Sequence, residues 1–137
     1  MRKKAIITIT SKQKDLDDNT IEVVTPGEFY KEDGFYYAVY NETELSGMEG
    51  TTTTLKISPK DFLLSRVGTT TGDMKFSEGN KDKTIYSTPY GVLELKIETT
   101  ELNVSIDDNG GEVFINYNMV IAGQKPQGTM LKVNIKA

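Results

Sequence analysis

Two carboxylates set two residues apart are the first feature of this chain that could do chemistry. Glu42 and Glu44 alternate within YNETEL, so in an extended segment both leave the same face, with Tyr40 one step away on it. Neighbours on one strand face stand about 7 Å apart, a spacing that leaves room for an acid and a base. The same pair could hold a cation or a polar ligand at a barrel mouth. It could also stand in solvent beside a turn, where charges are ordinary. If it points inward it needs a counter-charge, because an unpaired buried carboxylate is very costly. Arg66 is the candidate: the only other arginine is Arg2, and Arg66 alternates with Phe62 and Leu64. A guanidinium suits bidentate pairing with a carboxylate, the protein's own or a ligand's. The plain alternative is an exposed arginine at a strand end before Gly68. Tyr36, Tyr37, Tyr40, Tyr86, Tyr90 and Tyr117 could present hydroxyls to a pocket, although core and cross-strand packing accounts for most of them. The candidate ligand-binding set is therefore Tyr40, Glu42, Glu44, Arg66, Tyr86 and Tyr117.

Absences narrow the chemistry further. The chain has no cysteine and no histidine, which removes disulfides, thiolates, every Cys/His zinc arrangement and the commonest general base. No metal or cofactor is expected. Asp15, Asp17 and Asp18 are acidic like a calcium loop but lack its glycine and glutamate spacing. No glycine-rich segment has the strand–loop–helix context that phosphate binding needs. The net charge is −4, and the lysines are interleaved with acids, which argues against nucleic acid. No window approaches the roughly 18 apolar residues of a membrane span. The start, MRKKAIITITS, reads as a first strand and not a secretory signal, so the expected location is the cytoplasm.

The elements that must position these residues are strands. Residues 5–10 are almost entirely β-branched; 20–25 and 28–32 flank Pro26–Gly27; Asp33–Gly34 is a preferred two-residue hairpin turn. Strand-like runs follow at 35–44, 51–57, 62–67, 73–77 and 83–88. Residues 92–100 alternate cleanly and continue past a bend through 101–106, DDNGG at 107–111 is a hairpin tip, and 112–122 and 129–136 alternate again. Turns at such intervals, without a capped amphipathic helix, predict one all-β antiparallel domain over 1–137, a sandwich or a barrel. Two rows, Tyr36–Ala38–Tyr40–Glu42 and Phe114–Asn116–Asn118–Val120, mix polar and aromatic residues as a partly polar lumen would. Which row faces inward stays open, since a one-residue shift of register exchanges the faces.

The segments YNETELSG at 40–47, TTTL at 52–55, RVG at 66–68, MKF at 74–76, YSTPYG at 86–91 and YNMVIAG at 117–123 together resemble the YwiB-like family of small bacterial proteins. The resemblance spans nearly the whole chain. It implies a mostly up-and-down β-barrel of about 8–10 strands, calycin-like and related in shape to lipocalins and fatty-acid-binding proteins, with no assigned activity. The chain has no tryptophan and so lacks the Gly-x-Trp signature of true lipocalins. Fold is therefore implied without function. The expectation is a non-catalytic barrel that binds a small amphipathic or carboxylate ligand. The alternative is a solidly packed barrel acting through a homodimer or partner surface. A hydrolase built on Glu42 and Glu44 ranks last.

Overall fold

A computed structural model describes residues 2–13, 20–43, 48–121 and 124–137. Five strands fill the first half: β1 (Lys3–Gln13), β2 (Thr20–Glu32), β3 (Phe35–Asn41), β4 (Thr51–Ile57) and β5 (Asp61–Gly68). The second half supplies β6 (Gly72–Ser77), β7 (Lys81–Thr88), β8 (Gly91–Asp107), β9 (Gly110–Ile121) and β10 (Gln127–Lys136). No helix occurs among the described residues.

All ten strands lie in one antiparallel sheet of order β6-β5-β4-β3-β2-β1-β10-β9-β8-β7. Apart from β6 and β7, each strand pairs with its successor, and the first pairs with the last, Ile6 opposite Lys136 through Gln13 opposite Thr129. The sheet therefore curls round until β6 and β7, consecutive in the chain, face each other. Between them, among the described residues, runs one antiparallel bridge, Thr71 to Ser87, with N···O distances of 2.9 and 2.8 Å. The result is the expected up-and-down barrel, nearly closed, and the sandwich is excluded.

Two elements read as broken in the sequence are continuous. Strand β2 passes through Pro26, which pairs with Ile6 of β1, while the β2–β3 pairing covers only 28–32. Pro26 thus sits where β2 has one neighbour, and its missing N–H interrupts no ladder toward β3. Strand β8 runs through its expected bend, which is a bulge between Thr99 and Glu101. The extra residue switches which positions face inward: Leu95, Ile97 and Thr99 before it, Leu102 after it, all buried.

The interior is filled unevenly. Phe29, Ile57, Phe62, Phe76, Ile97, Val113, Ile115 and Val133 are fully or almost fully buried. The ring centroids of Phe62 and Phe76 lie 6.0 Å apart, and Phe76 meets Tyr117 edge-on at 4.8 Å. Along β1 the inward positions run from buried Ala5 and Ile7 to half-buried Ile9, Ser11 and Gln13. On β2, Ile21 shares the parity of buried Val23 and Thr25 yet is 51% exposed. Among the described residues, one end of the barrel is packed solid and the other is open.

Candidate functional site

The open end is where the structure gathers the candidate residues. Strand register sets Tyr40 of β3 opposite Thr53 of β4, Thr53 opposite Arg66 of β5, and Arg66 opposite Gly72 of β6. These are directly facing cross-strand positions, so their side chains share one inner belt. Glu42 follows β3, which ends at Asn41 and not at Glu44; its N–H donates to the Thr51 carbonyl at 2.8 Å. That bond turns the Glu42 side chain inward, where only 4% of it is exposed.

The buried carboxylate is satisfied from two sides. The Thr53 hydroxyl donates a short hydrogen bond to Glu42 Oε2, and Arg66 Nε stands 3.6 Å from the same oxygen. Arg66, 15% exposed, in turn donates from Nη1 to the Tyr86 hydroxyl at 3.2 Å. That bond reaches from β5 to β7, over Gly72 of β6. Arg66 Nε has no hydrogen-bond acceptor among the described residues.

Three phenols around the pair are held neutral. Burial drives the Tyr40 hydroxyl well above its ordinary range, the negative charge of Glu42 adds to this, and Arg66 opposes it. Burial also pushes Tyr117 up to about 12, against the pull of Arg66. Tyr86 moves the same way, raised by burial and lowered by the guanidinium it touches. All three remain hydrogen-bond donors at neutral pH.

Beneath this belt lies a cavity of ≈ 220 Å³ lined by Tyr40, Glu42, Arg66 and Tyr117 on its polar side. Leu64, Met74, Phe76, Leu131 and Val133 line it below, and Ile9, Ser11, Ile21, Val23 and Met48 complete the wall toward the mouth. Among the described residues, no group of three or more His, Cys, Asp or Glu side chains could hold a metal ion.

The sequence-predicted set is thus partly assembled. Tyr40, Glu42, Arg66, Tyr86 and Tyr117 converge, while Glu44 lies outside the described residues, as do Asp15, Asp17 and Asp18. Of the two mixed rows, Ala38, Tyr40 and Glu42 face the interior, and Phe114, Asn116 and Asn118 face outward, because Val113, Ile115 and Tyr117 are the buried residues of β9. Tyr90 is 99% exposed and has no part in the site. Thr53 escaped the sequence reading, since a threonine in a run of four is explained by strand propensity and hydrogen bonding across strands. Its signal was positional, opposite both Tyr40 and Arg66, and needed the register.

Comparison with known proteins adds the family. A model described as "Domain of unknown function (DUF1934)" matches residues 7–133. The uncharacterized beta-barrel protein YwiB of Bacillus subtilis (strain 168) is 28% identical over 129 residues, covering 91% of this chain and 89% of that protein. The crystal structure of ywiB protein from Bacillus subtilis superimposes with a TM-score of 0.86 at 23% identity, over 99% of this chain and 92% of the other. A ten-stranded barrel, matched over nearly its full length by a solved barrel and over most of its residues by one family model, makes this chain a member of the DUF1934 family.

Proposed function

We propose that this barrel is a non-catalytic binding protein for a small amphipathic molecule, held with its polar head at the Arg66–Glu42 pair. The observation that carries the reading is an unfilled apolar space bordered by a buried charge pair. A pair that served only to close the core would have packed side chains against it. Here the lower wall is apolar and the belt offers Arg66 and the phenols of Tyr40 and Tyr117, the usual composition of a ligand site.

Size restricts the occupant. An apolar protein cavity of about 150 Å³ holds one benzene, so by proportion ≈ 220 Å³ holds on the order of nine heavy atoms. A single aromatic ring or a short branched chain with one polar group fits. A long-chain fatty acid, the occupant that the calycin analogy suggests, exceeds this volume. The Glu42 carboxylate is already engaged by Thr53 and Arg66, which favours a structural over a catalytic part for it.

Native mass spectrometry of protein purified from cells, set beside the denatured mass, tests the reading. A reproducible small adduct on the native wild type is expected, and its loss in Arg66→Ala. An adduct retained by Arg66→Ala, or one the size of a long-chain lipid, would overturn it.

A second reading has one observation in its favour. Ile85, Tyr90 and Val92 are strongly exposed along the β7–β8 hairpin, an apolar strip that a second copy could cover. Light scattering that finds a monomer at all accessible concentrations would sink it.

A further inference from the structure

Building on the binding reading, we infer that the pocket selects an uncharged head group, a carbonyl, amide or phenol able to accept a hydrogen bond, over an anion or a cation of the same shape. The site already contains one positive and one negative group within 3.6 Å of each other, both largely shielded from water. Its charges are therefore matched before any ligand arrives. A carboxylate would meet Arg66 but would bring a second negative charge beside Glu42 into a space of low dielectric. An ammonium or amidinium would meet Glu42 at the cost of facing the guanidinium. A neutral acceptor meets neither penalty.

Of the pair's own atoms, Arg66 Nε is closed off from the cavity as well as from an acceptor. Arg66 Nη1 is given to Tyr86, and Glu42 Oε2 is too distant from Nε for a hydrogen bond, so the buried Nε–H has no acceptor among the described residues. A neutral carbonyl oxygen at the polar wall would accept from the Tyr117 hydroxyl or the guanidinium edge of Arg66, while its apolar body lay against Leu64, Met74 and Phe76. The phenols of Tyr40 and Tyr117, held protonated by burial, add no charge at neutral pH.

Three isosteric probes separate the possibilities: benzamide, benzoate and benzamidinium share a ring and a planar head and differ in charge. Titrating each at pH 7 into isotopically labelled full-length protein, and following the amides of Tyr40, Leu64 and Tyr117, gives three affinities at one site. Benzamide is expected to bind about tenfold more tightly than either ion. In Glu42→Gln, which keeps the shape but leaves Arg66 unmatched, the order is expected to invert, with benzoate first. Benzoate or benzamidinium binding as tightly as benzamide to the wild type would overturn the neutral-head assignment while leaving a binding pocket. Perturbation by none of the three, nor by benzene, would overturn the binding reading itself and this inference with it. Should Glu42→Gln fail to fold, the wild-type ranking decides alone.

Discussion

Tyr117 shows how a single side chain reports on the packing of the interior. Burial raises its hydroxyl to about 12 from an ordinary 10.0. A folded-state pKa above the unfolded one means that the neutral phenol is favoured in the fold. The associated stability is fully present below pH 10 and is lost as pH rises toward 12, because the unfolded chain releases the proton first. Between pH 9 and pH 11 this one group should cost the wild type about 1 kcal/mol. Tyr117→Phe should therefore lose less stability than the wild type over that interval, measured by urea denaturation at each pH. Parallel losses in the two proteins would mean that Tyr117 ionises in the fold as freely as in water. At this scale the sequence was informative where chemistry was unusual. Arg66 stood out because it alternates with Phe62 and Leu64, and an arginine on an apolar row must find a partner. Thr53 did not stand out, because nothing about a threonine in a strand demands explanation until its neighbours across the sheet are known.

At the scale of the element, a two-residue period identifies strands but not which face is the inner one. Tyr36–Ala38–Tyr40–Glu42 and Phe114–Asn116–Asn118–Val120 looked alike, and only the curl of the sheet put the first row inside and the second out. The bulge in β8 was legible as a bend after Thr100 but not as a switch of face, which depends on the pairing with β9. Gly72 is a case where the element's chemistry becomes visible only in the fold. A Cβ at that position would lie 2.4 Å from Cδ1 of Tyr86 and 3.0 Å from the Ile85 carbonyl oxygen, so its absence lets β7 approach β6. Tyr86 is the residue that holds Arg66. Gly72→Ala should push the ring aside, costing about 1–3 kcal/mol as overpacking does. The same change should weaken probe binding through Arg66. Unchanged stability and unchanged binding would show that β6 and β7 can part without disturbing the site.

For the molecule as a whole, the decisive feature is where the barrel fails to close. Local patterns cannot reveal that the first and last strands pair, or that the one splayed hairpin is β6–β7. Most consecutive runs in the chain look equally able to form a ladder. The reason for the gap lies in composition: β7 directs Asp82, Thr84 and Thr88 toward the interior side, all partly exposed, and only Tyr86 on that face is buried. A strand with a polar inner face gains little by closing on the core. What holds β7 instead is its ladder with β8, the Thr71–Ser87 bridge at one end, and the Gly79 N–H bonded to the Thr99 carbonyl at the other. Between those ends, Arg66 reaching across to Tyr86 is a further tie. Strand β1, by contrast, has a partner along both edges, and its Ile7 is fully buried. Native-state hydrogen exchange should therefore find the seam-facing amides of β6 and β7 exchanging faster than those in the centre of β1 and β10, by on the order of a hundredfold. A bound small molecule that engages Arg66 should slow the seam and leave β1 unchanged, since it tightens a side-chain tie across the gap. Exchange of β6, β7 and β1 at one common rate would mean that the seam is no weaker than the rest of the sheet, and that the barrel opens only by unfolding.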